Sequence, residues 1–242
     1  MTDGQQSTPL SIPLPCMIAG EQGGPRQALS DFREVWALVL FFVFDSIGAI
    51  PGLNSWLVAN FGLTHANPAG IALSVLVYDG GANVLVLFMA SAAYVLGTRG
   101  LAWHERRRAS KFFLVLAVVS AVVGDLAWYL TGFYPNLPVH GTSGVTMAAI
   151  GMTYPPTGMA LGLVFLRYRK LGREDRAASR LWFRRNGTSS YWGFVLSLVC
   201  LVVAFYAVIF VTGNLIVHGA SFITAIMVSL GYYFRVYKKT TV

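Results

Sequence analysis

The chain has 242 residues, 55% of them hydrophobic and 12% charged, with a formal net charge of +8 at pH 7 and a mean hydropathy of +0.60. Soluble globular domains carry about 25% charged residues, so this composition excludes an ordinary soluble domain and points to an integral membrane protein. The basic excess is confined to a few connecting stretches, which argues against a nucleic-acid-binding surface.

Residues 1–34 are polar and broken by proline and glycine, without a basic start followed by an apolar core. They read as a disordered cytoplasmic tail rather than a cleaved signal. A bilayer core about 30 Å thick takes roughly 20 predominantly apolar residues per helix, and six segments meet that demand: 35–53, 69–96, 112–133, 141–166, 191–212 and 215–234. The expected fold is all-α, a six-transmembrane-helix bundle over 35–239. Barrel strands show two-residue alternation, whereas these segments are continuously apolar.

The first apolar segment carries Asp45 in "FFVFDSIGAIPG". After it, "NSWLVANFGLTHANPAG" is uncharged and partly apolar, and is expected along the outer interface, where it could bring His65 to a cavity. The second segment carries Asp79 in "LVYDGGANVLV", with Asn83 four residues on, one turn along the same helical face. The third carries Asp125 in "SAVVGDLAWYL", followed by Trp128 and Tyr129. The fourth opens after His140, with Ser143 one turn later. It contains "GMTYPPTGMALG", where Pro155 and Pro156 should kink the helix and Gly158 and Gly162 form a small-xxx-small pair suited to close packing. The fifth holds Cys200, which cannot plausibly pair with Cys16 in the tail. The sixth opens with His218 and Ser221.

Two stretches echo one another. "NLPVHGTSGVT" (Asn136 to Thr146) returns 78 residues later as "NLIVHGASFIT" (Asn214 to Thr224), with seven of eleven positions identical. This reads helices 3–4 and 5–6 as a duplicated helical hairpin, in parallel rather than inverted orientation. The copies differ, because Asp125 has Val203 and Pro155 has Tyr233 at the corresponding positions.

Basic residues gather in Arg99–Lys111, in Arg167–Arg185 and at Arg235, Lys238 and Lys239, while 54–68, 134–140 and 213–214 contain no Lys or Arg. That alternation is the positive-inside pattern and expects cytoplasmic N- and C-termini. The basic loops also admit binding of anionic lipid headgroups. Under this orientation the "NGT" at Asn186–Thr188 falls on the cytoplasmic side and is fortuitous as a glycosylation acceptor.

Asp45, Asp79 and Asp125 lie within apolar segments that contain no Lys or Arg. An acid at a helix centre costs about 2.5–3.5 kcal/mol on insertion scales, so each needs a partner or a purpose. Counting along the helices puts all three, with His140 and His218, toward the outer half of the bilayer. Such a set could perform acid–base catalysis: a carboxyl in low dielectric resists ionisation and can donate a proton, and an imidazole can take or relay one. Asp125 is the candidate proton donor, since Trp128 and Tyr129 could stabilise a developing cation. His140 and His218 would act as base, relay or headgroup ligands, Asp79 with Asn83 would orient the substrate or hold a partner carboxyl, Asp45 would line the same cavity, and Asn83, Trp128, Tyr129, Ser143 and Ser221 would bind substrate. A zinc site from His140, His218 and one or two aspartates is an alternative without a recognisable ligand spacing, and no cofactor is expected. The bland alternative makes the histidines helix caps and the aspartates interhelical glue.

"YDGGANVLVLFMASAAYVLG", the outer turn "GFYPNLPVHG" and His140 opening the next helix resemble the six-helix superfamily that includes the DRAM autophagy modulators, the GPI-lipid-remodelling proteins and a bacterial family of unknown function. The likeness covers roughly residues 69–166. It implies a six-helix bundle with cytoplasmic termini and a link to membrane lipids, and supplies no agreed catalytic mechanism. Here Ala82 precedes Asn83, where a larger residue often stands. The expected function is an integral membrane enzyme acting on a lipid or isoprenoid. The competing readings are a proton- or ion-coupled carrier and a non-catalytic lipid-binding scaffold.

Overall fold

The computed structural model describes residues 29–45, 52–64, 66–74, 77, 81–101, 103–131, 143–207 and 215–241. The described residues are helical throughout: α1 (Arg33–Asp45), α2 (Leu53–Phe61), α3 (Gly70–Leu73), α4 (Gly81–Thr98), α5 (Trp103–Thr131), α6 (Ser143–Glu174), α7 (Arg176–Asn186), α8 (Thr188–Ala207) and α9 (Leu215–Thr241). The only strand-like pairing among them is an isolated bridge between Thr64 and Asn67. Four helices, α5, α6, α8 and α9, are long and apolar enough to cross a membrane, and α4 is a shorter apolar helix.

Apolar side chains on both faces make these membrane helices. On α1, Val35, Leu38, Val39 and Phe42 repeat at three- and four-residue spacing and are buried, while Leu40, Phe41 and Val43 on the other side are exposed. On α9, Ile223, Met227 and Phe234 are exposed at the same period. A helix facing water would place charges there; an apolar outer face fits hydrocarbon.

The long helices overrun their apolar segments. α5 begins at Trp103, nine residues before the expected start, and runs through the arginine stretch; α6 continues past 166 to Glu174. Helical backbone satisfies its own N–H and C=O groups, and long arginine stems can carry their charges out to the headgroups. The second segment differs more. Its described part is a single turn, α3, and then α4 from Gly81; Asp79 lies outside the described residues. The segment expected as an outer loop contains α2, none of whose residues is buried.

The packed chain also starts before the expected boundary at residue 35. Asp31 and Phe32 are buried, and Arg106 Nε lies 3.2 Å from Asp31 Oδ2, with both side chains almost wholly enclosed. Next to this ion pair, Ser110 Oγ donates to Glu34 Oε2 at 2.8 Å. Tyr94 donates to the carbonyl of Ala109 at 2.8 Å and its hydroxyl meets that of Tyr233. α1, α4, α5 and α9 are thus tied by polar contacts at one end of the bundle.

α6 is the central helix and packs on α4, α5, α8 and α9. Its buried face is rich in small residues, with Gly144, Ala148, Ala149 and Gly151 among them. A Cβ at Gly151 would stand 2.7 Å from the carbonyl oxygen of Phe222 on α9, so only glycine admits this backbone approach. The pair expected to pack closely, Gly158 and Gly162, meets nothing within 4 Å and faces outward. α6 runs as one helix through Pro155 and Pro156. Pro156 has no N–H for the Met152 carbonyl, and that carbonyl accepts instead from Ser229 Oγ on α9 at 3.4 Å. The Pro156 carbonyl accepts from Tyr237 at 3.2 Å. The Ser229 hydroxyl thus serves one of the two carbonyls freed by the prolines.

The echo in the sequence is not matched by equivalent packing. α5 lies against α6, but α8 lies against α4 and α6 whereas α9 lies against α5 and α6. Among the described residues the second pair of helices packs mainly on other helices, whereas the first pair packs on each other.

Candidate functional site

The other end of the bundle gathers most of the polar residues singled out in the sequence. On α5 the buried positions Phe113, Leu116, Ala117, Ser120, Ala121, Gly124, Asp125 and Trp128 form one stripe at helical spacing. Asp125 therefore faces protein, and is 3% exposed. Ser74, buried in the turn that ends α3, donates its hydroxyl to Asp125 Oδ2. Among the described residues no Lys, Arg or His makes an ion pair with Asp125.

Gly124, the preceding residue, lets α9 approach. A Cβ there would fall on Ser221 Oγ and 2.6 Å from the Val217 carbonyl oxygen. His218, next to Val217, is 3% exposed, and Ser221 is fully buried one turn later. Both stand in the first two turns of α9. The start of α6 closes the same region: Ser143 is buried, and a Cβ at Gly144 would lie 3.4 Å from Ala121 and 3.5 Å from Ser221 Oγ. Thr146 Oγ1 donates to the Asn83 carbonyl at 3.4 Å, which brings the first turn of α4 alongside.

Trp128 packs with Leu63 and Val217, all fully or nearly fully buried, and Ile71, Tyr129 and Ile216 pack around them. This small apolar cluster seals the region by joining the ends of α5 and α9 to the 63–71 stretch. Trp128 is thus a packed wall; Tyr129 is half-buried beside it.

Of the predicted site residues, the structure brings together Asp125, Trp128, Tyr129, His218, Ser221 and Ser143, with Asn83 joined through Thr146. Asp79 and His140, with His65, lie outside the described residues; Asp45 ends α1, with its side chain likewise outside them. Among the described residues no three His, Cys, Asp or Glu side chains cluster as a metal site; His140, which the zinc alternative combines with His218 and one or two aspartates, lies outside them.

Sequence reasoning missed Ser74. It sits in an apolar run, "IALSVLVYDGG", where one hydroxyl gives no signal by itself. The clue was a need rather than a motif: an intramembrane carboxylic acid without a basic partner requires a hydroxyl donor. It also missed Gly124, the residue directly before the aspartate, whose small size admits Ser221.

In chemical terms the arrangement is a buried carboxyl with one oxygen engaged by a hydroxyl, and a buried imidazole, His218, in the opening turns of the helix that crosses at the adjacent Gly124. Ser221 Oγ has no hydrogen-bond partner among the described residues. Comparison with protein-family models, with curated proteins and with solved structures finds no match to this chain.

Proposed function

We propose that this protein is a six-helix membrane enzyme that performs acid–base chemistry on a lipid or isoprenoid substrate, at the end of the bundle where α5, α6 and α9 meet. The six crossings would be the four long apolar helices, the shorter α4, and the first apolar segment that includes α1. The observation that carries the reading is Asp125, a carboxyl 3% exposed with a serine hydroxyl as its partner and no ion pair among the described residues. Burying such a group is costly, and it is retained one residue from the α5–α9 crossing that also buries His218.

In this reading Asp125 donates a proton to an electron-rich carbon or oxygen of the substrate. The resulting carboxylate keeps the Ser74 hydrogen bond, which favours the charged form. His218 takes a proton from the other side of the intermediate, and exchange between the two groups resets the site. One proton enters and one leaves, so isomerisation or cyclisation is the simplest balanced outcome. Tyr129 would face the developing cation. The resemblance of 69–166 to the superfamily that includes the DRAM autophagy modulators, the GPI-lipid-remodelling proteins and a bacterial family of unknown function would suit a lipid substrate.

The test is mass-spectrometric profiling of lipid and isoprenoid extracts from cells with matched amounts of wild type, Asp125→Asn and His218→Ala. We expect one species to be formed or depleted with wild type only, with the conversion falling at least 100-fold in each variant. Identical profiles from three folded proteins would overturn the enzyme reading. Gradient-dependent flux of an unchanged solute would then establish a carrier, and absence of flux a scaffold.

A further inference from the structure

At the opposite end of α6 from Ser143, the chain turns sharply into α7 and surrounds an open cavity with arginine. Between Arg167 and Arg185 there are eight basic and two acidic residues, leaving a net +6 in a single elbow. A cavity of about 400 Å³ is lined by Arg169, Arg173, Arg176 and Arg180, with Ser179 on its wall. None of these arginines makes an ion pair among the described residues. The nearby acids do not neutralise them: Asp175 caps α7 by accepting from the backbone N–H groups of Ala177 and Ala178 at 2.7 and 3.2 Å, and Glu174 is exposed. The elbow is also braced, because Asp175 N–H donates to the Leu171 carbonyl at 2.8 Å and Ser179 N–H to that of Asp175 at 3.1 Å.

A second cavity of about 390 Å³ adjoins the first and shares Tyr168 and Arg180 with it; Phe165 and Phe183 form its apolar walls. Tyr168 and Phe183 stack edge to face, with centroids 5.7 Å apart. Phe165 and Leu166 on α6 and Leu181 on α7 are exposed next to it. Phe165 and Leu166 end the apolar segment 141–166, which would set the pair of cavities at the level where hydrocarbon gives way to headgroups.

We infer that the α6–α7 elbow is a binding site for a phosphate-bearing anionic phospholipid. The phosphate lies in the arginine half and the start of an acyl chain along Phe165 and Phe183. Four arginines line one cavity without an ion-pair partner among the described residues, the Arg169 guanidinium lying 5.9 Å from the centre of the Phe165 ring; like charges so close repel each other, and a phosphate oxyanion relieves that repulsion. Arginine's planar fork matches phosphate bidentately, as lysine cannot. A phosphomonoester headgroup, with more than one negative charge, suits four arginines better than a zwitterionic one. The apolar half distinguishes a lipid from a free anion, because dissolved phosphate has no use for Phe165 and Phe183. This site is independent of the acid–base site at the far end of the bundle.

Native mass spectrometry of the full chain in detergent tests the assignment, with phosphatidic acid or phosphatidylcholine added and glycerol phosphate as the soluble competitor. Phosphatidic acid should be retained over phosphatidylcholine, and R173Q with R180Q should weaken retention on the order of 30-fold. R173K with R180K, which keeps charge and removes the fork, should lose part of it, and F165A with F183A should lower lipid retention while leaving glycerol phosphate binding unchanged. The control R107Q with R108Q removes equal charge elsewhere and should retain the lipid. Equal weakening by that control would reduce the effect to overall charge and overturn the site. Glycerol phosphate binding as tightly as the lipid, with no effect of the phenylalanine changes, would overturn the lipid assignment in favour of a soluble anion.

Discussion

Asp31 and Arg106 show how much a single pair can decide in a chain with few charges. Their side chains are 7% and 5% exposed and their charged atoms 3.2 Å apart, so each is the other's compensation for leaving water. Removing one leaves an uncompensated buried charge, which costs about 3–5 kcal/mol. Asp31→Asn should therefore lower the unfolding midpoint of the detergent-solubilised protein markedly. Asp31→Leu combined with Arg106→Leu, which removes both charges, should recover most of the loss; a double variant no better than the single one would mean that the pair is not coupled. Asp125 is the contrasting case at the same scale, a buried acid served by a hydroxyl from Ser74. Both residues were visible in the sequence as charges, but Asp31 lies within a stretch whose polarity reads as tail, and its arginine is one of three in a row. Nothing local distinguishes Arg106 from Arg107 and Arg108.

Among the elements, α6 carries the architecture, and its glycines are not interchangeable. Gly151 faces the α9 backbone, and Gly158 faces open space. Gly151→Leu should force α6 and α9 apart and destabilise the fold by several kcal/mol, since overpacking at a backbone contact has little room to relax. Gly158→Leu adds an apolar side chain on an outward face and should change stability little. Comparing the two by thermal unfolding in one detergent checks the assignment, and the opposite ranking would mean that α6 is rotated from its described orientation. The small-xxx-small spacing pointed to the wrong glycines because spacing fixes which residues share a face, not which face meets a neighbour. The two prolines announce missing N–H donors in the sequence, while the Ser229 hydroxyl that serves the freed Met152 carbonyl comes from α9, about 80 residues away in the chain.

For the molecule as a whole, the four long apolar helices fit a multi-pass membrane protein, and the alternation of basic and charge-free connections predicts six crossings with both termini on the cytoplasmic side. Single cysteines placed at residues 60, 105, 135, 180 and 213 in a Cys-free background should react with an impermeant thiol reagent from outside at 60, 135 and 213 only. Labelling of position 105 from outside would break the topology. The sequence alone determined that this is a helical membrane protein, where its long apolar segments lie, and that Asp125 is an acid within an apolar segment in need of a partner. Composition and run length suffice for that, because bilayer thickness and backbone hydrogen bonding act on each segment separately. Only the tertiary structure decided that Ser74 serves Asp125, that Gly124 and Gly151 rather than Gly158 and Gly162 admit a neighbouring helix, and that four arginines face one cavity. Those facts depend on the rotation of each helix about its axis, and in a chain apolar on all sides no hydrophobic stripe sets that rotation; the fit of small residues and the pairing of a few polar groups do.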